Sequence, residues 1–226
     1  MALLEDERHY LHDVLRLAPG DPVEVFDGEG GLHDARLAPT GDALELGPRR
    51  DVAAPAARIH LAFALAKGEK NDLVVQKATE LGVACLLPFA AARSVVKLDA
   101  ERGEERARRW RRIAEEAARQ CGRADVPEVR VPARLSDVLS GVAHEAPGAC
   151  LLAFDAVGAP FAEALDPSAP LHLALTGPEG GLAPEELAAC ATAGARLARL
   201  GPRILRAETA AIAVVALLQH RLGDLG

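Results

Sequence analysis

The sequence LHLALTGPEGGL at residues 171–182 begins as an apolar run and ends in a glycine-rich loop. The sequence ARLARLGPRILRAETA at residues 195–210 repeats this arrangement. Helical sequences follow both loops, first at 184–193 and then in an Ala-, Val-, Ile- and Leu-rich stretch that extends to residue 219. Loops that lead from a strand into a helix lie at the carboxyl ends of the strands in an open α/β sheet, where ligands bind. The pattern therefore predicts an α/β fold with a ligand site formed by both loops.

The residue types in these loops favour contact between a ligand and the main chain. Glycine permits a positive φ and a close approach to the backbone, and four glycines lie here: Gly177, Gly180, Gly181 and Gly201. Pro178 and Pro202 stiffen the loops. Arg203 and Arg206 add positive charge beside a helix start, and the helix dipole stabilises a carboxylate at Glu208 in the first turn. A single Gly-Pro loop after a strand is usually only a turn, but two in succession favour a binding site.

Residues 175–182 and 200–210 resemble the two signature segments of the RsmE family. These proteins are 16S ribosomal RNA uridine-N3 methyltransferases of the SPOUT superfamily. The resemblance implies a deep C-terminal trefoil knot that binds S-adenosylmethionine, and a homodimer with the cofactor pocket at its interface. It runs in register from about His9 to Gly223. One departure is Ala207, where the family usually has threonine, so one hydrogen bond of the family pattern is absent.

The resemblance also implies the roles of individual residues. It assigns cofactor binding to Leu175, Thr176, Gly177, Pro178, Gly180, Gly181, Leu200, Gly201, Ile204, Leu205, Arg206, Thr209 and Ala210. Deprotonation of uridine N3 spreads negative charge onto O2 and O4, which requires a cation or an N–H donor nearby. Arg206 is the first choice for this catalytic role and Arg123 the second, although a structural salt bridge to Glu208 is an alternative for Arg206. Glu179 and Glu208 are both candidate proton acceptors, and their spacing does not choose between them.

Composition limits the class of protein. The chain has 226 residues, half of them hydrophobic, and a formal net charge of −7, which is not the basic footprint of a general nucleic-acid binder. Residues 1–57 hold 5 Lys and Arg against 12 Asp and Glu, whereas residues 58–226 hold 21 of each. This asymmetry predicts two domains with a boundary at residue 57. Four widely spaced cysteines, no long apolar stretch and an acidic start predict a cytoplasmic protein without a metal, a membrane span or a signal peptide.

The first predicted domain reads as mainly β. A short amphipathic helix is predicted at 6–17, and strands at 22–26, 32–37 and 43–46 are separated by glycine-rich turns. Residues 9–16 and 26–28 resemble the family's N-terminal PUA-like β-barrel, an RNA-binding module. The opening strand of that barrel, with its basic residues, has no clear counterpart at the start of this sequence. His9 and His12 lie three apart, and a solvated helix face is favoured over a metal pair.

A strand-helix-strand unit opens the second predicted domain, after a linker at 49–57. Its strands are expected at 59–65 and 83–89 with a helix at 72–81, which implies a parallel sheet. Lys67, Lys70 and Lys77 cluster by spacing near the end of the first strand. They indicate either a solvated helix face or an edge that contacts phosphate, and both interpretations stay open. The segments 67–70 and 76–83 match the family closely, where they line the active-site side of the sheet.

The most basic segment is a predicted helix at 101–121 that surrounds Trp110 with arginines. Glutamates at helical spacing can pair with some of them, but the arginines around Trp110 exceed that need, so partial RNA contact is favoured. The family resemblance puts Arg123 in a loop near the site. The complete set of predicted RNA contacts is Arg16, Lys67, Lys70, Lys77, Arg93, Arg108, Arg109, Arg112 and Arg123.

A further strand is predicted at 150–154, followed by a connection with a short helix at 156–170. The complete sequence therefore favours a two-domain methyltransferase that modifies RNA of the small ribosomal subunit. Two rivals belong to other classes. An RNA-binding or assembly protein could keep this fold without catalysis. A different nucleotide-binding enzyme is the second rival, but the sequence has no G-x-x-x-x-G-K-[ST] phosphate loop to support it.

Overall fold

A computed structural model describes residues 1–53, 55–94 and 100–226. The chain divides into two compact units, one of residues 1–54 with 122–125 and one of residues 55–121 with 126–226. No helix in the described part is both long and apolar enough to cross a membrane. Ala54, within the predicted linker, lies outside the described residues.

The first unit contains a three-stranded antiparallel sheet in the order β1-β2-β3. Its elements are α1 (Glu5–His9), a π-helical turn (Tyr10–Val14), β1 (Pro22–Phe26), β2 (Gly31–Leu37) and β3 (Leu44–Asp51). Ala35, Leu37 and Leu44 form its small core. Asp27 fixes the turn between β1 and β2, because its Oδ1 accepts hydrogen bonds of 2.8 Å from the backbone N–H groups of Glu29 and Gly31.

The second unit contains a parallel sheet of seven strands in the order β10-β8-β9-β4-β5-β6, with β7 also paired to β5. The strands are β4 (Ile59–Ala64), β5 (Cys85–Ala90), β6 (Glu128–Val129), β7 (Ala133–Arg134), β8 (Cys150–Pro160), β9 (His172–Thr176) and β10 (Arg196–Arg199). The helices are α2 (Lys70–Glu80), α3 (Ala100–Cys121), α4 (Leu135–Glu145), α5 (Phe161–Ala164), α6 (Pro184–Thr192) and α7 (Ala207–Leu222). Every residue of the central strands β4 and β9 is buried, as expected when helices cover both faces of a parallel sheet.

Each face of this sheet packs on its own group of helices. Leu61 and Phe63 of β4 lie in a core with α2, α3 and α7. Ala62 and Ala64, which alternate with them, lie in a second core with α4 and α6. This arrangement leaves the carboxyl ends of the strands open to loops from different parts of the chain.

The predicted α/β class and the parallel sheet are confirmed, and several element bounds are corrected. The strand predicted at 43–46 is β3, which continues to Asp51 because Arg49 and Arg50 pair with β2. The predicted linker therefore begins too early. The strand predicted at 150–154 extends to Pro160, since Ala159 and Pro160 pair with β10. The sequence patterns did not predict the strands β6 and β7 or the helix α4.

Trp110 lies at the centre of the arginine-rich part of α3. Its ring is buried against Phe63, and its indole N–H donates a 3.0 Å hydrogen bond to Asp72. Trp110 is therefore a core residue of α3, and the arginines beside it do not surround an exposed base-stacking surface.

Candidate functional site

The loops that follow β9 and β10 line one cavity of about 290 Å³ at the carboxyl edge of the parallel sheet. Residues from the middle of β8 complete its wall. The lining residues are Phe154, Asp155, Ala156, Thr176, Gly177, Pro178, Glu179, Gly180, Gly181, Arg199, Leu200, Gly201, Arg203, Ile204, Leu205, Ala207 and Ala210. The volume lies near the lower end of the range of small-molecule sites, about 300–1,000 Å³.

Most of the predicted cofactor-binding residues meet at this cavity, and three do not line it. Leu175 is buried within β9 as part of the core. Arg206 and Thr209 are exposed at the start of α7. The sequence patterns did not predict the contribution of β8, whose residues 154–156 line the cavity between the two stretches of β8 that pair with β10.

Glycine conformations shape the two loops. Gly181 has a φ of +70° and Gly201 a φ of +131°, a region that residues with side chains rarely adopt. A Cβ at Gly177 would lie 3.1 Å from the backbone nitrogen of Leu182, so the first loop folds tightly on itself. The φ of Gly180 lies outside this positive region. The loops thus present backbone rather than side chains to a ligand.

A second segment of the chain holds the first loop in place. Arg93 donates a 2.8 Å hydrogen bond to the Gly180 carbonyl oxygen. Glu186 of α6 accepts 2.8 Å hydrogen bonds from the backbone N–H groups of Ala92 and Ala183. Arg93, a predicted RNA contact, therefore supports the cavity wall in this structure.

Lys70 lies at the start of α2 between two carboxylates from the site loops. Its ammonium donates a hydrogen bond to Glu179 and lies 3.7 Å from Glu208 Oε2. The hydrogen bond from Lys70 lowers the pKa of Glu179, and the same hydrogen bond raises the pKa of Lys70. Both charges are therefore kept at neutral pH.

Glu208 is mostly buried, with 13% of its side chain exposed. Its Oε2 atom is buried and has no hydrogen-bond donor within the described residues, although Lys70 lies at ion-pair distance. Lys70 is therefore close enough to stabilise the charge of Glu208 but does not donate a hydrogen bond to this oxygen. An unsatisfied buried acceptor costs about 1–3 kcal/mol, so this oxygen favours an incoming donor.

Arg206 precedes α7, and its carbonyl oxygen accepts a 2.8 Å hydrogen bond from the Ala210 N–H. Its side chain is exposed, and among the described residues no ion pair joins it to Glu208. The alternative of a structural Arg206–Glu208 salt bridge is therefore not what the structure shows.

Arg123, the second candidate for a catalytic cation, belongs to the first compact unit. Its guanidinium forms an ion pair with Asp125 at 2.8 Å, and 11% of its side chain is exposed. Arg16 belongs to the same unit, where it is exposed and has a φ of 57°.

The other predicted RNA contacts comprise side chains in ion pairs and side chains that are exposed. Lys77 donates to Glu80 at 2.8 Å, and Arg109 pairs with Asp72. Lys67, Arg108 and Arg112 are exposed.

The histidine pair was not favoured as a metal site. His9 bonds Asp13 at 2.7 Å and His12 bonds the Gly41 carbonyl oxygen at 2.7 Å. Across residues 1–53, 55–94 and 100–226, no group of three or more His, Cys, Asp or Glu side chains is arranged to hold a metal ion.

Two family models match this chain. A model described as an RNA methyltransferase domain matches residues 53–219, and one described as an RNA methyltransferase PUA domain matches residues 3–46.

Curated relatives carry the name ribosomal RNA small subunit methyltransferase E. The protein from Mycobacterium tuberculosis is 35% identical over 213 residues, which cover 91% of this chain and 80% of the relative. The protein from Bacillus subtilis is 30% identical over 230 residues, which cover 96% of this chain and 88% of the relative.

Two solved structures are similar over the whole of this chain. A putative methyltransferase from Legionella pneumophila, in complex with the cofactor SAM, has a TM-score of 0.86 and 31% identity and is covered over 93% of its length. The ribosomal RNA small subunit methyltransferase E from Neisseria gonorrhoeae, bound to S-adenosyl methionine, has a TM-score of 0.89 and 28% identity, also with 93% covered.

Proposed function

Because this chain belongs to the ribosomal RNA small subunit methyltransferase E family, we propose that it methylates N3 of a uridine in 16S ribosomal RNA with S-adenosylmethionine. The observation that carries the proposal is the cavity between the two glycine-rich loops. Two similar solved structures are described with this cofactor bound. Action on ribosomal RNA implies a cytoplasmic enzyme.

The cavity residues fit S-adenosylmethionine. The half-buried backbone at Gly177 and Gly201 lines the cavity and offers hydrogen bonds for a polar purine edge, while Leu200 and Leu205 offer apolar contact for its ring. When bound, the cofactor supplies an electrophilic methyl group on a sulfonium. The chain's own residues must therefore mainly position the base and remove the N3 proton.

The groups around the cavity divide this work. Arg206 is exposed at the start of α7, so its guanidinium can reach charge that develops on the uracil oxygens. Glu179 lies in the loop after β9 and Glu208 in the first turn of α7, and both are candidate proton acceptors. Arg123 is the weaker candidate for the cationic role, because Asp125 already engages its guanidinium.

RNA binding is proposed for exposed cations of both units. In the second unit these are Lys67, Arg108 and Arg112. In the first unit, the match to the PUA model supports a PUA-like barrel built on the three-stranded sheet. The domain boundary is proposed near residue 57.

A knot and a homodimer complete the proposal. The chain leaves the edge strand β10 and returns to pack α7 on β4 and β9, a route that supports a C-terminal trefoil knot. Val157 and Ile204 are 77% and 92% exposed, and the latter lines the cavity. Such exposed apolar side chains beside the cavity support a second copy that covers it.

Methylation with radiolabelled S-adenosylmethionine tests the proposed function. Purified protein is incubated with small subunits and with naked 16S RNA from cells that lack the activity, and the product nucleoside is identified by mass spectrometry. Label at uridine N3 supports the proposal. Cofactor-independent RNA binding without label would instead support the non-catalytic rival.

Arg206→Lys separates catalysis from binding. The proposal expects kcat to fall roughly 10²-fold while cofactor affinity changes little, because the substitution keeps the charge but loses the fork. Equal losses in rate and cofactor affinity would place Arg206 in the scaffold.

A further inference from the structure

Lys70 connects three segments at the carboxyl edge of the sheet. It follows β4 at the start of α2, Glu179 lies in the loop after β9, and Glu208 lies in the first turn of α7. Lys70 donates to Glu179 and lies 3.7 Å from Glu208 Oε2. This placement differs from that of a phosphate-contacting lysine, because two carboxylates already engage the ammonium.

The two glutamates differ in what remains for a substrate. Glu179 accepts the hydrogen bond from Lys70, and about half of its side chain is exposed. Glu208 is mostly buried and keeps Oε2 without a hydrogen-bond donor among the described residues. A small space of about 10 Å³ beside it, lined also by Thr176, Gly177 and Lys70, adjoins the residues of the larger cavity. That volume corresponds to about one water molecule.

We propose that Lys70 is a positioning residue that occupies Glu179 and keeps Glu208 ionised, so that the free Glu208 oxygen receives the uridine N3 proton. This inference rests on the proposed function and deepens it. The proton passes from N3 to Glu208 directly or through one water in the small space. The N3 electron pair forms the new N–CH₃ bond, and the electrons of the broken S–CH₃ bond stay on sulfur, which becomes a neutral thioether.

The need for a cation follows from burial and charge. A mostly buried carboxylate favours its neutral form, and two carboxylates in one site cannot both stay charged without a counter-ion. Lys70 supplies that counter-ion to both glutamates at once. Without it, the hydrogen bond that lowers the pKa of Glu179 is lost and the two carboxylates repel each other, and a protonated carboxylate cannot accept another proton.

The test compares Lys70→Met and Lys70→Gln with Lys70→Arg. Single-turnover methylation is measured against pH for each variant, with cofactor affinity measured by calorimetry. For the neutral variants we expect the methylation rate at pH 7 to fall about tenfold or more and to recover at high pH. The acid limb of the profile, where the rate falls as the pH is lowered, should move upward by about one pH unit or more. Lys70→Arg should keep the wild-type limb, because it restores the cation.

Arg130→Met is the matched control. Arg130 also lies between two glutamates, but at the amino ends of the strands. Its loss should leave the rate of the folded enzyme and the acid limb unchanged.

A second readout requires neither RNA nor turnover. Carbon-13 resonances of labelled glutamate carboxyl groups are titrated in the wild type and in Lys70→Met, with Glu208→Gln to assign the signal. We expect the Glu208 signal to titrate at higher pH in Lys70→Met. If neither the acid limb nor the Glu208 signal moves in Lys70→Met, the role of Lys70 is overturned and the proposed function stands. Wild-type protein that methylates no uridine overturns the proposed function and this inference together.

Discussion

The two edges of the parallel sheet each hold a cation between two glutamates, and the two arrangements differ in what they leave free. At the amino edge, Arg130 donates to both oxygens of Glu128 and both oxygens of Glu145, over 2.7–3.3 Å. At the carboxyl edge, Lys70 bonds Glu179 but leaves Glu208 Oε2 without a donor. The planar arginine fork can saturate two carboxylates, whereas a compact ammonium cannot.

The surroundings of the two edges reinforce this difference. Cys85 and His60 are buried at the amino edge beside the arginine network, and burial raises the pKa of the Cys85 thiol to about 12. Such a thiol is inert at neutral pH. The carboxyl edge has the cavity and the positive-φ backbone of Gly201 instead. A saturated charge cluster therefore stabilises one edge, while an unsaturated one at the other edge can react.

The largest expected effect concerns backbone geometry at the two edges. Gly201→Val should weaken S-adenosylmethionine binding about 100-fold or more, roughly 3 kcal/mol, because a φ of +131° excludes a β-branched side chain. Gly148→Val is the control, since Gly148 has a φ of +84° in the connection before β8. Titration calorimetry should show near-normal cofactor affinity for the folded control. Equal losses in both variants would mean that strain anywhere in this unit disturbs the cavity.

The next effect is the pH dependence of stability at the amino edge. Burial, with Arg58 and Arg130 nearby, lowers the pKa of His60 from 6.5 to about 4, against the opposing charges of Glu128 and Glu145. The unfolded chain binds this proton more readily, so stability is present above pH 6.5 and is lost as the pH falls towards 4.

Denaturation by urea at pH 7 and pH 4.5 measures that loss. The pKa shift of His60 corresponds to roughly 3 kcal/mol of stability at most. The ring Nδ1 of His60 has no partner among the described residues. His60→Leu should therefore remove much of this pH dependence. The exposed His144, changed to Gln, is the control and should keep the wild-type pH dependence. Identical pH dependence in His60→Leu would assign the acid sensitivity to carboxylates.

Arg130→Met should have a smaller effect on stability. Glu128 and Glu145 would lose a shared partner, and the partly exposed network makes a cost of about 1–2 kcal/mol reasonable after solvent screening. Lys70→Met should cost less than Arg130→Met, because Lys70 donates one hydrogen bond to Glu179 whereas Arg130 donates four to its two glutamates. Thermal unfolding of both variants measures this order. A greater loss from Lys70→Met would show that the carboxyl edge is the more strongly cross-linked.

The smallest expected effect concerns the salt dependence of RNA binding, where arginines in an ion pair are compared with exposed ones. Exposed Arg108 and Arg112 should each contribute about 0.7–0.9 to the slope of log K against log salt, and Arg109 should contribute less because Asp72 pairs with it. Single changes to Gln, assayed by filter binding over a salt series, test this ranking. An equal slope change for all three would show that RNA displaces Asp72 from Arg109.

The sequence predicts the carboxyl edge better than the amino edge, and the reason is physical. Glycine permits backbone conformations that other residues avoid and proline fixes φ, so both act locally, and the loops at 177–181 and 201–206 can be predicted without knowledge of distant contacts. The Arg130 network joins residues from β6 and α4, and its pairing depends on tertiary packing. The burial of Trp110 also depends on tertiary packing, since its partner Asp72 lies 38 positions away.

The position of Lys70 was also beyond local reasoning. Spacing groups Lys70 with Lys67 and Lys77 along one segment. Its carboxylate partners come from elsewhere in the chain: Glu179 lies in the loop before α6 and Glu208 in the first turn of α7. Sequence spacing could therefore propose a basic edge and two candidate proton acceptors. Only the fold shows which acceptor keeps a free oxygen.

The hydrogen bond that anchors the far end of α7 has a consequence for the timing of synthesis. Gln219 is buried and donates a 2.8 Å hydrogen bond to the Leu81 carbonyl oxygen, while the first turn of the same helix carries Glu208. Every cavity residue lies after position 150. A nascent chain therefore cannot complete the cavity until its residues through Gln219 have emerged from the ribosome. In a nascent chain the cavity therefore forms only after the strands β4 to β10 of the sheet have been synthesised.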